Sequence, residues 1–112
     1  MKARLGQLQV IDLPNLVRSC KEKWNNVTIS QVNNSVIRLG VIEGEFHWHK
    51  HNEEDEFFFV VEGELLLDLE NETVKLTPQQ GYTVPKGVIH RTRANERTVI
   101  LMVEQDTINP NG

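Results

Sequence analysis

From Asn26 onward, short stretches rich in Val, Ile, Leu and Phe are cut at close intervals by turn-forming residues. The cuts fall at Asn33-Asn34, Glu43-Gly44, Gly63, Asn71, Gln79 to Gly81 and Asn95. Segments this short suit strands rather than helices. The pattern predicts strands over 27–32, 35–42, 45–51, 56–62, 64–70, 73–76, 82–84, 88–93 and 97–104. Leu65, Leu67 and Leu69 alternate with Leu66, Asp68 and Glu70, as in a strand with one face buried. Many short strands joined by tight turns imply an all-β sandwich or barrel.

The first quarter of the chain reads differently. Asp12 is placed to cap a helix and Pro14 suits its first turn. Leu16, Val17, Cys20 and Trp24 give an i, i+4, i+8 stripe, so one short helix is expected over 13–24, covering an end of the sheet. At the other end Asp106 to Gly112 is polar, contains Pro110, and is expected to be a loosely ordered tail. With 112 residues the chain has the size of one domain. We take 1–112 as a single domain with its barrel core at about 27–104.

Composition limits the partners. Hydrophobic and charged fractions of 38% and 25% are those of a soluble globular chain. No apolar run approaches the ~20 residues of a membrane helix, and Met1-Lys2-Ala3-Arg4 lacks a secretory apolar stretch. Cys20 is the only cysteine, which excludes an internal disulfide and fits a cytoplasmic setting. A net charge of −4 argues against a nucleic-acid partner. Arg91, Arg93 and Arg97 are too few to reverse that sign.

Three of the four histidines alternate in His47-Trp48-His49-Lys50-His51, and Glu53-Glu54-Asp55-Glu56 follows at once. The fourth, His90, lies behind a Pro85-Lys86-Gly87 turn. On a strand over 45–51, His47, His49 and His51 project to one side and Trp48 to the other. Neutral imidazoles converging with a carboxylate suit a borderline divalent metal. Parity gives His47 a place on the cavity wall or a role as proton carrier. Asp55 and Glu56 are alternative carboxylates. Phe58 and Val60 read as cavity lining, while Phe57 and Phe59 have the parity of an outer face. No Ser-His-Asp or Cys-His pattern and no glycine-rich phosphate loop is visible.

These residues resemble the cupins, a family of small jelly-roll barrels. His49 and His51, Glu56 and Gly63 match the spacing of the first cupin motif, and Pro85, Gly87 and His90 match the second. Glu43-Gly44-Glu45-Phe46 and Val84-Pro85-Lys86-Gly87-Val88 look like small single-domain bacterial members. The likeness departs at three places. Gln79 stands where the second motif has glycine, so the turn either takes a strained form or shifts to Gly81. Gly44 falls one residue after the first motif's opening glycine. Ala94 replaces an asparagine, with Asn95 next.

The resemblance implies a double-stranded β-helix and one divalent transition metal (Mn, Fe, Ni or Zn) on His49, His51, Glu56 and His90. It also implies a homodimer, for which Trp48, Phe57 and Phe59 are candidate contacts. The expected function is that of a metal-dependent enzyme on a small organic molecule, with Glu56 and His47 as catalytic candidates. A dioxygenase of a diketone, keto acid or catechol-like compound and an isomerase are both compatible. The competing expectation is a non-catalytic metal- or metabolite-binding or sensing module.

Overall fold

The structure, a computed structural model, describes residues 3–111. Its elements are α1 (Leu13–Ser19), β1 (Trp24–Val32), β2 (Ser35–Glu45), β3 (Glu56–Glu62), β4 (Leu65–Leu69), β5 (Thr73–Leu76), β6 (Gly81–Val84) and β7 (His90–Gln105). All pairings are antiparallel, in the order β1-β2-β7-β3-β6, and β4 with β5 attaches to the first part of β7. The fold is an all-β barrel with one short helix, as expected. No helix among the described residues is long and apolar enough to cross a membrane.

Strand β7 organises the molecule. Its first residues pair with β4 (Leu69 opposite His90), and its last pair with β2 and β3 at once. The two strands expected at 88–93 and 97–104 are therefore one. Asn95 marks a bulge rather than an end: Ile42 faces Thr98 and Gly44 faces Ala94, so 95–97 project to solvent.

Alternation along these strands separates two cores. Ile42, Phe58, Val60, Leu65, Leu67, Val84, Ile100 and Met102 fill the inside of the barrel. Ile29, Leu39, Val41 and Val99 point outward, where Leu13, Leu16 and Val17 of α1 cover them. Each fully buried Leu, Ile, Val or Phe contributes about 1.5–3 kcal/mol relative to exposure. That gain, on both faces of β2, is why the N-terminal segment folds back over the sheet. Val60 is fully buried core rather than cavity lining. Both faces of β4 are covered too, with Leu66 and Asp68 buried as well as Leu65 and Leu67, where one wet face was expected.

The helix is shorter than its stripe implied. Cys20 is already extended, with φ −83 and ψ 106, and Trp24 opens β1 opposite Ile42. Ladder pairing with β2 outcompetes another helical turn, which would strand those backbone groups. Asp12 occupies the N-cap position but makes no side-chain cap; its carboxylate accepts from Asn15 Nδ2 at 2.9 Å.

Two other expectations change, and one open alternative is decided. The strand expected over 45–51 does not form, because β2 ends at Glu45 and 46–51 is irregular. That segment is held by Phe46 N to Thr92 O (2.9 Å), the reciprocal His49–His90 bridge, and Gly87 N to His51 O (2.8 Å). The tail is tied down through Ile108: Asp106 N donates to Asn34 O, Thr107 Oγ1 donates to Glu54 Oε2 at 2.6 Å, and Ile108 is 4% exposed. Gln79 takes the strained alternative, with φ +69, and its N–H donates to Val60 O at 2.8 Å. Gly81 is needed for a different reason. A Cβ there would lie 2.7 Å from the Phe57 ring.

Candidate metal centre

His90 begins β7 and Glu56 begins β3, so the barrel itself positions both. His49 and His51 arrive from the irregular segment, anchored by the His49–His90 bridge at 3.0 and 2.9 Å. One ligand atom from each of the four lies within 4.8 Å of the others. The imidazoles of His49 and His90 are 4.4 Å apart between centroids, and those of His49 and His51 4.9 Å. Glu56 Oε1 lies 3.1 Å from His90 Nε2 and 3.5 Å from His51 Nε2. His90 and Glu56 are buried, and the other two partly so.

The tautomers follow from the contacts. His49 Nδ1 is 2.9 Å from the His47 carbonyl, and His90 Nδ1 is 2.9 Å from the Val88 carbonyl. A carbonyl only accepts, so each Nδ1 carries the hydrogen and donates it. Each Nε2 then turns a lone pair inward, the arrangement in which outer-shell carbonyls orient metal-binding histidines. Facing lone pairs and a carboxylate need a cation between them, either a proton or a metal. The donor set fits one divalent metal ion.

The electrostatics of the cluster express the same attraction. Burial works against the charged form of Glu56, yet hydrogen bonds with His51 and His90 hold its carboxyl below the usual range. The bond to Glu56 raises His51 despite partial burial. Burial lowers His49, and the neighbouring His90 adds to that.

The other sequence candidates fall outside the cluster. His47 is exposed and stacks on Phe46 at 4.1 Å; with no strand there, the alternation that put it on the ligand side does not exist. It contributes its carbonyl to His49 instead. Asp55 ties the loop by accepting from Lys86 N at 2.9 Å, which leaves Glu56 as the cluster's carboxylate. Trp48 faces away, 46% exposed, under the guanidinium of Arg91 at 4.9 Å. Arg91 and Arg93 are bound to Asp68, with both Nε atoms 2.8 Å from its Oδ2.

Sequence reading missed two buried charges. Glu104 lies directly opposite Glu56 in the β3–β7 ladder, and Arg38 Nη1 donates to Glu104 Oε2 at 2.9 Å. Arg38 Nε donates to Thr28 Oγ1 at 3.0 Å. Burial and the neighbouring Glu56 charge push Glu104 up, and Arg38 pulls it back. The available signal was parity, because Arg38 shares the inward register of Val36, Gly40 and Ile42, and Glu104 that of Ile100 and Met102.

Beside His49, His51 and Glu56 lies a cavity of about 40 Å³, room for roughly three waters. Most of its exposed wall is apolar, from Trp24, Ile42, Phe58, Ile100, Met102 and Ile108, and Asn25, Asn26, Thr92, Glu104 and Asn109 add polar groups. The 106–110 segment closes one side of it.

Residues 36–104 match the family model described as the cupin domain. Among curated proteins, the uncharacterised protein YdbB of Bacillus subtilis (strain 168) is 47% identical over 90 residues, 80% of each chain. A crystal structure of a cupin-2 domain containing protein from Shewanella frigidimarina superposes with a TM-score of 0.82 at 32% identity, covering 86% of this chain and 94% of that one. Protein NMB1881 from Neisseria meningitidis gives a TM-score of 0.77 at 25% identity, covering 88% and 100%.

Proposed function

Given that the chain belongs to the cupin family, we propose that it is a metal-dependent enzyme acting on a small, partly apolar organic molecule. One divalent transition metal (Mn, Fe, Ni or Zn) is held by His49, His51, Glu56 and His90. The observation that carries this reading is the convergence of four donor atoms within 4.8 Å beside a mostly apolar cavity. Bound there, a metal supplies Lewis acidity to oxygen ligands in its open positions.

The protein's own residues narrow the ligand. Three neutral imidazoles and one carboxylate leave a divalent ion with a net charge near +1, which favours an anionic or enolisable ligand binding through two oxygens. Phe58, Ile42 and Met102 press on an apolar part. No Lys or Arg lines the cavity among the described residues, and Arg38 is committed to Glu104. Phosphate therefore lacks a partner there. Small diketones, keto acids and catechol-like compounds fit better than sugar phosphates.

The test starts with metal analysis of protein purified without chelator. Acetylacetone and glucose 6-phosphate then compete at the cobalt-substituted protein, followed by its visible spectrum. Tighter binding of the diketone is expected. Tighter binding of the sugar phosphate overturns the preference and favours an isomerase. Binding of keto compounds without turnover, aerobic or anaerobic, makes the protein a binding or sensing module instead.

A further inference from the structure

Asn26 carries a polar atom that the fold leaves unused. It lies on β1, on the same side of the strand as Trp24 and Thr28, and lines the cavity next to the metal cluster. Its Nδ2 donates to the Pro110 carbonyl at 3.4 Å, a long bond that fixes which way the amide points. Reversed, two oxygens would face each other. The Oδ1 atom is consequently the one left over, and it is buried with no hydrogen-bond partner, the sole such side-chain atom among the described residues.

Its neighbours do not supply a partner. Gly40 lies opposite Asn26 in the β1–β2 ladder and has no side chain to offer. Asn25, the adjacent amide, is fully engaged: it donates to Glu22 O and Val41 O and accepts from Glu22 N. Of the other wall residues, Ile100 and Ile108 are apolar, Asn109 Oδ1 accepts from Asn111 N, and neither Asn109 nor Thr92 bonds to Asn26 Oδ1. Buried polar atoms are nearly always paired, and an unpaired acceptor lining a cavity points to a donor group that occupies the cavity.

We infer that Asn26 is a specificity-determining residue of the cavity, its Oδ1 accepting a hydrogen bond from a hydroxyl on the ligand. This deepens the reading above and rests on it: the ligand chelates through two oxygens and carries a hydroxyl on its otherwise apolar part. The tail carbonyl of Pro110 orients the amide. A methyl in place of that hydroxyl leaves Oδ1 unpaired, which is how buried polar groups reject analogues lacking a donor.

The experiment uses nickel-loaded protein and two compounds that differ by one hydroxyl, hydroxypyruvate and pyruvate, titrated calorimetrically. Wild type should bind hydroxypyruvate roughly five- to tenfold more tightly, the worth of one net hydrogen bond. Asn26→Val, which keeps a good strand former at this position, should lose that preference while its pyruvate affinity and nickel content stay unchanged. Asn26→Thr, matched to valine in shape, retains an uncharged oxygen able to accept and should keep part of the preference, which guards against a trivial folding effect in the valine variant. Equal affinities in wild type, or a preference that survives Asn26→Val, overturn the role of Asn26 and leave the metal-chelation reading standing. Failure of both compounds to bind nickel-loaded wild type overturns both.

Discussion

Replacing Arg38 with Met should destabilise the metal-free protein severely, although Arg38 touches none of the proposed metal ligands' nitrogens. Arg38 and Glu104 have side chains only 6% and 2% exposed, and their closest atoms are 2.9 Å apart. Glu104 also faces the Glu56 carboxylate directly across the ladder. Removing the cation leaves two carboxylates opposed in a buried site, and breaking one partner of such a pair costs about 3–5 kcal/mol. For a chain of 112 residues, an unfolding entropy of about 2.1 cal/mol/K per residue gives roughly 0.24 kcal/mol per kelvin. The melting temperature should thus fall by roughly 13–21 °C. Glu104 is already pushed up by burial and by Glu56, and a carboxyl raised in the folded state gains stability as pH falls. With Glu104 pushed up to about 8 by burial and Glu56, the deficit of Arg38→Met should be full only above that pH, and should shrink as pH falls through it and Glu104 takes up a proton. Replacing both partners (Arg38→Met with Glu104→Leu) should recover most of the loss, since an apolar pair of similar volume is near neutral. Urea and thermal unfolding in the presence of chelator measure all three variants. A loss below ~1 kcal/mol in Arg38→Met, or a double variant worse than the single one, would refute the reasoning.

Metal should stabilise the protein by about 2.7 kcal/mol at free metal a hundredfold above its Kd, roughly 11 °C by the same conversion. The gain should grow from about pH 5.5 to about pH 8, around the ordinary histidine value of ~6.5. The sign follows from His51, which its bond to Glu56 raises. In metal-free protein the stabilisation from that protonated pair is complete below the unfolded value and lost as pH rises through the folded one. Metal requires the neutral ring and so gains over the same interval. Thermal melts with and without chelator decide it. A pH-independent gain, or one that persists in both His51→Ala and His90→Ala, contradicts the assignment. We also propose a homodimer through the outer face carrying Phe57, Phe59, Val61 and Val103, the last two exposed. Light scattering at micromolar concentration should give about twice 12.9 kDa; a monomer mass refutes it.

The cluster of His49, His51, Glu56 and His90 was legible in the sequence because much of its information is local. Turn residues such as Pro85-Lys86-Gly87, and the intervals between His49, His51, Glu56 and Gly63, are written in neighbouring positions. Alternation also separated Phe58 from Phe57 and Phe59, because the side-chain period of a strand needs no partner. Pairing does need one. Whether Asn95 ends a strand or bulges out of it depends on what β2 presents opposite, and Ile42 facing Thr98 decides for the bulge. His47 was misplaced for the same reason, since its parity held only if 45–51 found a ladder, and the chain there pairs at isolated points instead. Arg38 and Glu104 stand 66 residues apart, and Asn26 meets Pro110 across 84. Nothing in the composition near either residue names its partner. The register of antiparallel strands, where a shift by one residue turns every side chain to the other face, brought Arg38 to Glu104, and the turns after β7 brought Pro110 back to Asn26.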